Sequence, residues 1–208
     1  MSALELRVAL SLSSIYALRM LGLFLVLPVF ALEARQYPGG DDPALVGLAM
    51  GIYGLTQGLL QIPFGVASDR YGRKRVIVMG LAVFALGSVL AGLADSLQGL
   101  VLGRALQGAG AVSAAVTALI ADSTRDEHRT KAMALVGGSI GLTYAASLVM
   151  SPLMYAATGM RGMFLFVAAL AAVAIFIVVF VTPAAPPRPP ERTSFMDVLR
   201  NGELMRMN

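Results

Sequence analysis

Six apolar runs, each about twenty residues or longer, occupy most of this chain: 8–32, 44–66, 76–94, 97–121, 132–156 and 160–181. A helix needs roughly 20 apolar residues to cross the hydrocarbon of a bilayer. Lipid offers backbone N–H and C=O groups no water, so a spanning segment must satisfy them internally, as a helix or within a closed barrel. The runs lack the ten-residue alternation of barrel strands. The chain is therefore expected to be an all-α, multi-pass membrane protein of six transmembrane helices, with the lipid bilayer as its first partner. Composition agrees: 57% of residues are hydrophobic and 13% charged, about half the charge of a soluble domain.

The connections carry the charge. A polar stretch at 33–43 joins the first two helices, a basic run at 69–75 the second and third, Asp95 and Ser96 the third and fourth, and a charged run at 122–131 the fourth and fifth. Lys and Arg collect on the cytoplasmic side of membrane proteins. With the N-terminus inside, twelve basic residues are cytoplasmic, Arg35 and Arg161 are outside, and Arg19 and Arg104 lie within the membrane, which accounts for all 16. Both ends are thus expected in the cytoplasm, and the protein in the plasma membrane of a cell, the inner membrane of a bacterium. The bundle is assigned to 1–182. Residues 183–208 begin with five prolines in eight positions, a stiff linker, and continue into a short amphipathic stretch capped by Ser194.

Several function classes are excluded by what is missing. There is no Cys and one His, His128, so no thiolate or multi-histidine metal site is expected, and no cofactor. The net charge of +4 sits in short loops between apolar runs, so nucleic acid is not the expected partner. No nucleophile–base pair lies at membrane depth, and no catalytic residue is assigned.

Polar groups inside the apolar runs are the candidates for function. A guanidinium in hydrocarbon is expensive unless it faces a wet cavity or a partner. Arg19, one turn after Tyr16, and Arg104, with Gln107, are therefore expected to face the bundle interior; snorkelling to the outer surface is the alternative for Arg104. Tyr53, Gln57 and Gln61 recur every four residues on the second helix, and Tyr144, Ser147 and Ser151 lie along one face of the fifth. These are the substrate-cavity candidates, and interhelical hydrogen bonding is the competing reading. Gly47 and Gly51, Gly54 and Gly58, Gly99 and Gly103, and Gly137 and Gly141 are spaced by four, a pattern that lets helices approach closely. Gly108, Gly137, Gly141 and Pro152 are assigned to helix packing. No carboxylate lies at mid-membrane; Glu33 and Asp95 stand near the outer ends.

The segment from Gly65 to Arg75 reads GVASDRYGRKR. It resembles the G-x-x-x-D-R-x-G-R-K/R signature of the major facilitator superfamily, in the same loop. Gly65 suits close helix contact, Gly72 a turn with positive φ, and Asp69 a pairing with Arg73. A second resemblance covers Arg104, Gln107, Gly108, Gly110 and Ala111, matching R-x-x-Q-G-x-G-A. The Gly-rich fifth helix resembles that of the family's antiporters, with Ser151 in place of the Gly before Pro152. The chain as a whole is similar to the YajR-type branch of bacterial drug/proton antiporters.

The resemblance implies two inverted three-helix repeats, forming the N-terminal half of a twelve-helix fold. It implies a secondary transporter of a small molecule working by alternating access, with proton-coupled efflux. It implies that Gly65, Asp69, Arg70, Gly72, Arg73, Lys74, Arg75 and Asp122 form a conformational switch, with Asp69, Arg73 and Asp122 latching the two halves. The other six-helix half, on the same gene product or a separate chain, is the implied protein partner. A half-transporter or membrane scaffold that works only with such a chain is the alternative.

Overall fold

The computed structural model describes residues 1–183; the linker and amphipathic stretch after Pro183 lie outside them. The described residues form helices and no strand: α1 (Ala3–Ala34), α2 (Pro43–Tyr71), α3 (Arg73–Gly92), α4 (Leu97–Ala109), α5 (Ser113–Ser123) and α6 (Asp126–Phe176), with a π-helical turn at Ile177–Val181. Local signals set the starts. Ser2 and Glu5 form a reciprocal capping box on α1, Asp42 caps α2 ahead of Pro43, and Ser96 caps α4 through Gly99 N–H. Each supplies an acceptor to N–H groups that lack an intrahelical partner.

Three boundaries differ from those drawn on the sequence. First, α2 does not stop at the membrane edge but runs on through Asp69 and Arg70 to Tyr71, so the basic loop shrinks to Gly72 alone. Charged side chains leave helical hydrogen bonding intact, and only Gly72, at φ 94°, turns the chain; left-handed φ is cheap for glycine alone. Second, the fourth apolar run is two helices, broken at 110–112 around Gly110 (φ −72°, ψ 49°). Third, α6 continues through the junction between the fifth and sixth runs. As one rod its 51 residues would reach about 75 Å, far beyond a bilayer about 30 Å thick. Gly159 (φ 63°, ψ −176°) breaks it, and the chain reverses there.

Packing confirms that reversal. Ser139 Oγ donates to Ser13 O at 3.3 Å and Ser151 Oγ to Leu25 O at 2.6 Å, both 126 positions apart. A constant offset means that the first arm of α6 runs parallel to α1. The second arm runs back: Phe164 packs in a cluster with Leu25 and Phe30, and Val178 in one with Val8 and Leu12. These two apolar clusters stack end to end along the bundle axis. Outside them the surface is apolar too, with Leu32, Ile62 and Phe180 about 70% exposed or more, as lipid-facing helices require.

The α3–α4 seam is the tightest part of the core. A Cβ on Gly103 would lie 2.5 Å from Ala91 N, and one on Gly87 would lie 2.6 Å from Gln107 Cα. The other glycine pairs behave differently. Nothing lies within 4 Å of a Cβ placed on Gly47, Gly51, Gly54 or Gly58 of α2, or on Gly137 or Gly141 of α6. No described helix packs on Gly137 or Gly141, so the close-packing role assigned to them is not filled inside this bundle. Gly108 does pack: its Cβ would overlap Tyr53 O and Thr56 Oγ1 of α2.

Candidate functional site

Two buried guanidinium groups hold the centre of the bundle. Arg19 is 2% exposed and Arg104 1%, so Arg104 does not snorkel. Arg19 reaches from α1 into the break between α4 and α5. Its Nη2 donates to Gly110 O and Gln57 Oε1, both at 3.2 Å, and its Nη1 to Ser113 Oγ at 3.0 Å. The unwound turn leaves carbonyls without helical donors, and such a break survives in a membrane only where neighbours satisfy them. Arg19 and the Val112 N–H, the latter at 2.9 Å, do so for Gly110 O. Tyr16, one turn earlier, donates to Ser113 O at 2.9 Å and shares a 3.0 Å hydrogen bond with Thr117 Oγ1. The break is fixed from its other side by α3: a Cβ on Gly110 would lie 2.8 Å from Phe84 Cβ. The Phe84 ring also lies under Arg19, 5.5 Å from its Cζ.

Arg104 is held differently. Its Nη1 donates to Gln107 Oε1 at 3.0 Å, Gln107 Nε2 donates to Ser88 Oγ at 2.9 Å, and Ser88 donates to Phe84 O at 2.8 Å. The guanidinium lies between Phe30 and Tyr53, with ring centroids 5.3 and 5.0 Å from Cζ, where the negative faces of the rings attract it. Its Nε and the Tyr53 hydroxyl are buried without a hydrogen-bond partner. Among the described residues neither Arg19 nor Arg104 has a carboxylate partner.

The remaining cavity candidates divide. Gln57 joins Arg19, and Gln61, one turn on, is half-buried. On α6 the shared face expected for Tyr144, Ser147 and Ser151 is split. Ser147 is fully buried and donates back to Tyr144 O at 2.7 Å, and Ser151 anchors to Leu25 O. Tyr144 is 50% exposed and meets Phe24 edge-on. The reason is rotation: three residues advance about 300° around a helix, enough to bury Ser147 while Tyr144 stays at the rim. Pro152 sits beside Ser151 inside the first arm of α6.

A second constellation lies at the end of the bundle that carries Gly72. Arg73 is its hub. Its Nη2 meets Asp69 Oδ1 at 2.5 Å, its Nε meets Asp122 Oδ2 at 3.1 Å, and its Nη1 donates to Ser68 Oγ at 2.5 Å. The Arg73 and Asp122 side chains are 12% and 7% exposed, and that of Asp69 63%, so the inner pair is shielded and the outer carboxylate faces outward. Lys74 donates to Thr182 O at 2.7 Å and Val179 O at 3.3 Å, holding the end of the π-helical turn. Arg70 and Arg75 are exposed. Gly65 leaves room: a Cβ there would rest 3.6 Å from Ala114 Cβ, an ordinary contact. Beside this hub, Glu5 accepts from Arg125 N and Nε at 3.1 and 3.0 Å, which raises the Arg125 pKa above its ordinary value.

At the opposite end, Tyr155 donates to Glu33. Burial, with Glu33 and Asp95 nearby, pushes the Tyr37 phenol above its ordinary pKa.

Sequence reasoning missed Ser68, Phe84, Ser88, Ser113 and Thr117. Phe84 and Ser88 are apolar or small residues in an apolar run and carry no signal. Ser113 and Thr117, one turn apart after Gly110, could have been read as polar cover for a glycine-broken helix.

The chain matches the family model of the Major Facilitator Superfamily over residues 12–205. It is 46% identical to the inner membrane transport protein YajR of Escherichia coli, an alignment that covers 98% of this chain and 46% of that protein. It is 33% identical to the class B tetracycline resistance protein of Escherichia coli over 59% of this chain and 31% of that one. Among solved structures it is similar to the human organic anion transporter MFSD10, with a TM-score of 0.76 and 19% identity over 89% of this chain and 49% of that one. It is also similar to a bacterial homologue of the lysosomal transporter Spinster, inward-facing and unoccupied, with a TM-score of 0.77 and 18% identity over 96% and 49%. At these identities the structures speak for fold alone. The chain spans about half the length of the relatives it matches.

Proposed function

The chain belongs to the major facilitator superfamily, and on that premise we propose that it works as one half of a secondary transporter that moves a small molecule by alternating access. The observation that carries this reading is the pair of buried guanidinium groups, Arg19 and Arg104, to which no carboxylate among the described residues is paired. An uncompensated cation in hydrocarbon is costly and is retained where something else meets it: an anionic group of the substrate, or a carboxylate of the facing half. Both guanidinium groups keep an unpaired Nε, and Arg104 has the Tyr53 hydroxyl, also unpaired, beside it. Arg19 is engaged by three neutral acceptors and positions the α4–α5 break.

Arg73 is the conformational device in this proposal. It ties α2, α3 and the end of α5 through Asp69, Ser68 and Asp122. Asp69, exposed although paired with Arg73, can also meet an N–H group or cation of the facing half and so bias one state, with Arg70, Lys74 and Arg75 holding this end in the cytoplasm. The open glycine faces of α2 and α6 support a counterpart bundle, on the same polypeptide or a separate chain. Proton-coupled efflux is the finer reading, supported by relatives named for tetracycline and multidrug resistance. With no carboxylate at mid-membrane, the coupling proton would then be carried at the bundle ends or by the counterpart.

The test is flux in everted vesicles from cells producing the complete transporter, with tetracycline and a panel of lipophilic cations and organic anions as probes. Arg104→Met and Asp69→Asn are expected to insert at normal levels and lose at least about tenfold in rate, the loss of one charge-assisted contact. Unchanged rates in both variants for a probe that the parent transports would overturn the reading.

A further inference from the structure

A groove of about 450 Å³ runs along the outside of the bundle, between the first turns of α1 and the π-helical turn, lined by Leu6, Leu10, Ile177 and Val181 together with Ser11, Ser14 and Arg7. Its hydroxyls are already used: Ser14 Oγ donates to Leu10 O at 2.8 Å and Ser11 Oγ to Val8 O at 3.0 Å. The groove therefore presents hydrocarbon. Leu6 and Leu10 are 44% and 50% exposed, and no described helix covers them.

Arg7 supplies the cation of the groove. Arg7 is exposed, and among the described residues none accepts a hydrogen bond from it or pairs with it. The nearest acid along α1, Glu5, is buried on another face and held by Arg125. Arg7 also directly precedes the first apolar run, which begins at Val8, so it stands where α1 passes from the polar boundary into hydrocarbon. A trough of aliphatic side chains open to lipid, with one guanidinium in its lining, has the chemistry of a phospholipid tail below an anionic headgroup. Guanidinium recognises phosphate by paired N–H donors, and basic residues at this depth attract anionic lipid.

We propose that the groove binds an anionic phospholipid of the surrounding leaflet, its headgroup on Arg7 and one acyl chain along Leu6, Leu10, Ile177 and Val181. The site abuts the segment whose carbonyls Lys74 holds. Bound lipid would therefore brace the end of the π-helical turn against α1, next to the Arg73 hub. The proposal rests on the membrane fold and not on any transported substrate.

The protein has no cysteine, so a single bimane label can be placed at Leu10→Cys in the full chain, reconstituted in phosphatidylcholine vesicles containing brominated phosphatidylglycerol or brominated phosphatidylcholine at equal mole fraction. Brominated phosphatidylglycerol is expected to quench about fivefold more effectively per mole, the ratio that one interfacial cation confers. Adding Arg7→Gln should bring the two lipids level. A label at Leu102→Cys, 70% exposed on α4, should show no preference. Equal quenching at position 10, or a preference that survives Arg7→Gln, would overturn the proposal. So would a label shielded from both lipids, which would place residues 184–208 or a second copy in the groove.

Discussion

Glycine does two different things in this bundle. Along the α3–α4 seam, Gly87, Gly103 and Gly110 bring backbone against backbone, and a Cβ on any of them would strike main-chain atoms or Phe84. Along α2 and the first arm of α6, Gly47, Gly51, Gly54, Gly58, Gly137 and Gly141 face open space. Gly103, of the Gly99–Gly103 pair, has the same four-residue spacing as the open-face glycines, so the spacing alone does not say which surface a glycine serves. The seam is closed within this chain. The open faces make no use of their smoothness here, which is why the proposed counterpart bundle belongs against them.

Substitutions can break or sharpen that contrast. The largest effect is expected from Gly87→Val in the seam. The obstructing atoms, Gln107 Cα at 2.6 Å and Gly103 O at 2.8 Å, are backbone and cannot swing aside. The cost should exceed about 3 kcal/mol, the upper end for overpacking, and appear as loss of a monodisperse peak in detergent. Next comes Arg19→Ala, which empties the α4–α5 break and strips Gly110 O of its side-chain donor. About 2–4 kcal/mol of destabilisation is expected, read from thermal unfolding in detergent. Arg104→Met should cost less than about 1.5 kcal/mol, because it keeps similar volume between Phe30 and Tyr53 and relieves an ion buried without a carboxylate.

Asp122→Asn weakens a shielded partner of Arg73 and should cost about 1 kcal/mol. Asp69→Asn, at an exposed carboxylate, should cost no more than about 0.5 kcal/mol. The smallest change is expected on the open faces. Gly54→Ala and Gly141→Ala replace glycine in mid-helix where nothing obstructs a methyl, so each should stabilise the isolated bundle by about 0.5–1 kcal/mol. Destabilisation there instead would mean that those faces are packed within this chain, and the contrast would fail.

The sequence made the helices legible because lipid punishes any other backbone so heavily that twenty apolar residues leave little choice. It made the Arg73 hub legible because acid, glycine and base stand there in a dense and unusual order. The helix ends were harder. Asp69, Arg70 and Tyr71 read as loop, yet nothing in them stops a helix until Gly72. The break at Gly110 was hidden because Gly108, Gly110 and Ala111 read equally well as a packing face, and only the contacts of Arg19 and Phe84 reveal an opened turn. Ser147 shows the same limit: its polarity marked it as a cavity residue, while its position on α6 buries it and its hydroxyl turns back to Tyr144 O.

The most direct test of the central claim, that this bundle is built to move against a counterpart, is photo-crosslinking in intact membranes from benzophenylalanine placed at Gly54 and at Gly141, with the adducts identified by mass spectrometry. Adducts to the helices of a second six-helix unit are expected from both positions, with yields that shift when substrate or a proton gradient is applied. Adducts to lipid alone from both positions would contradict it.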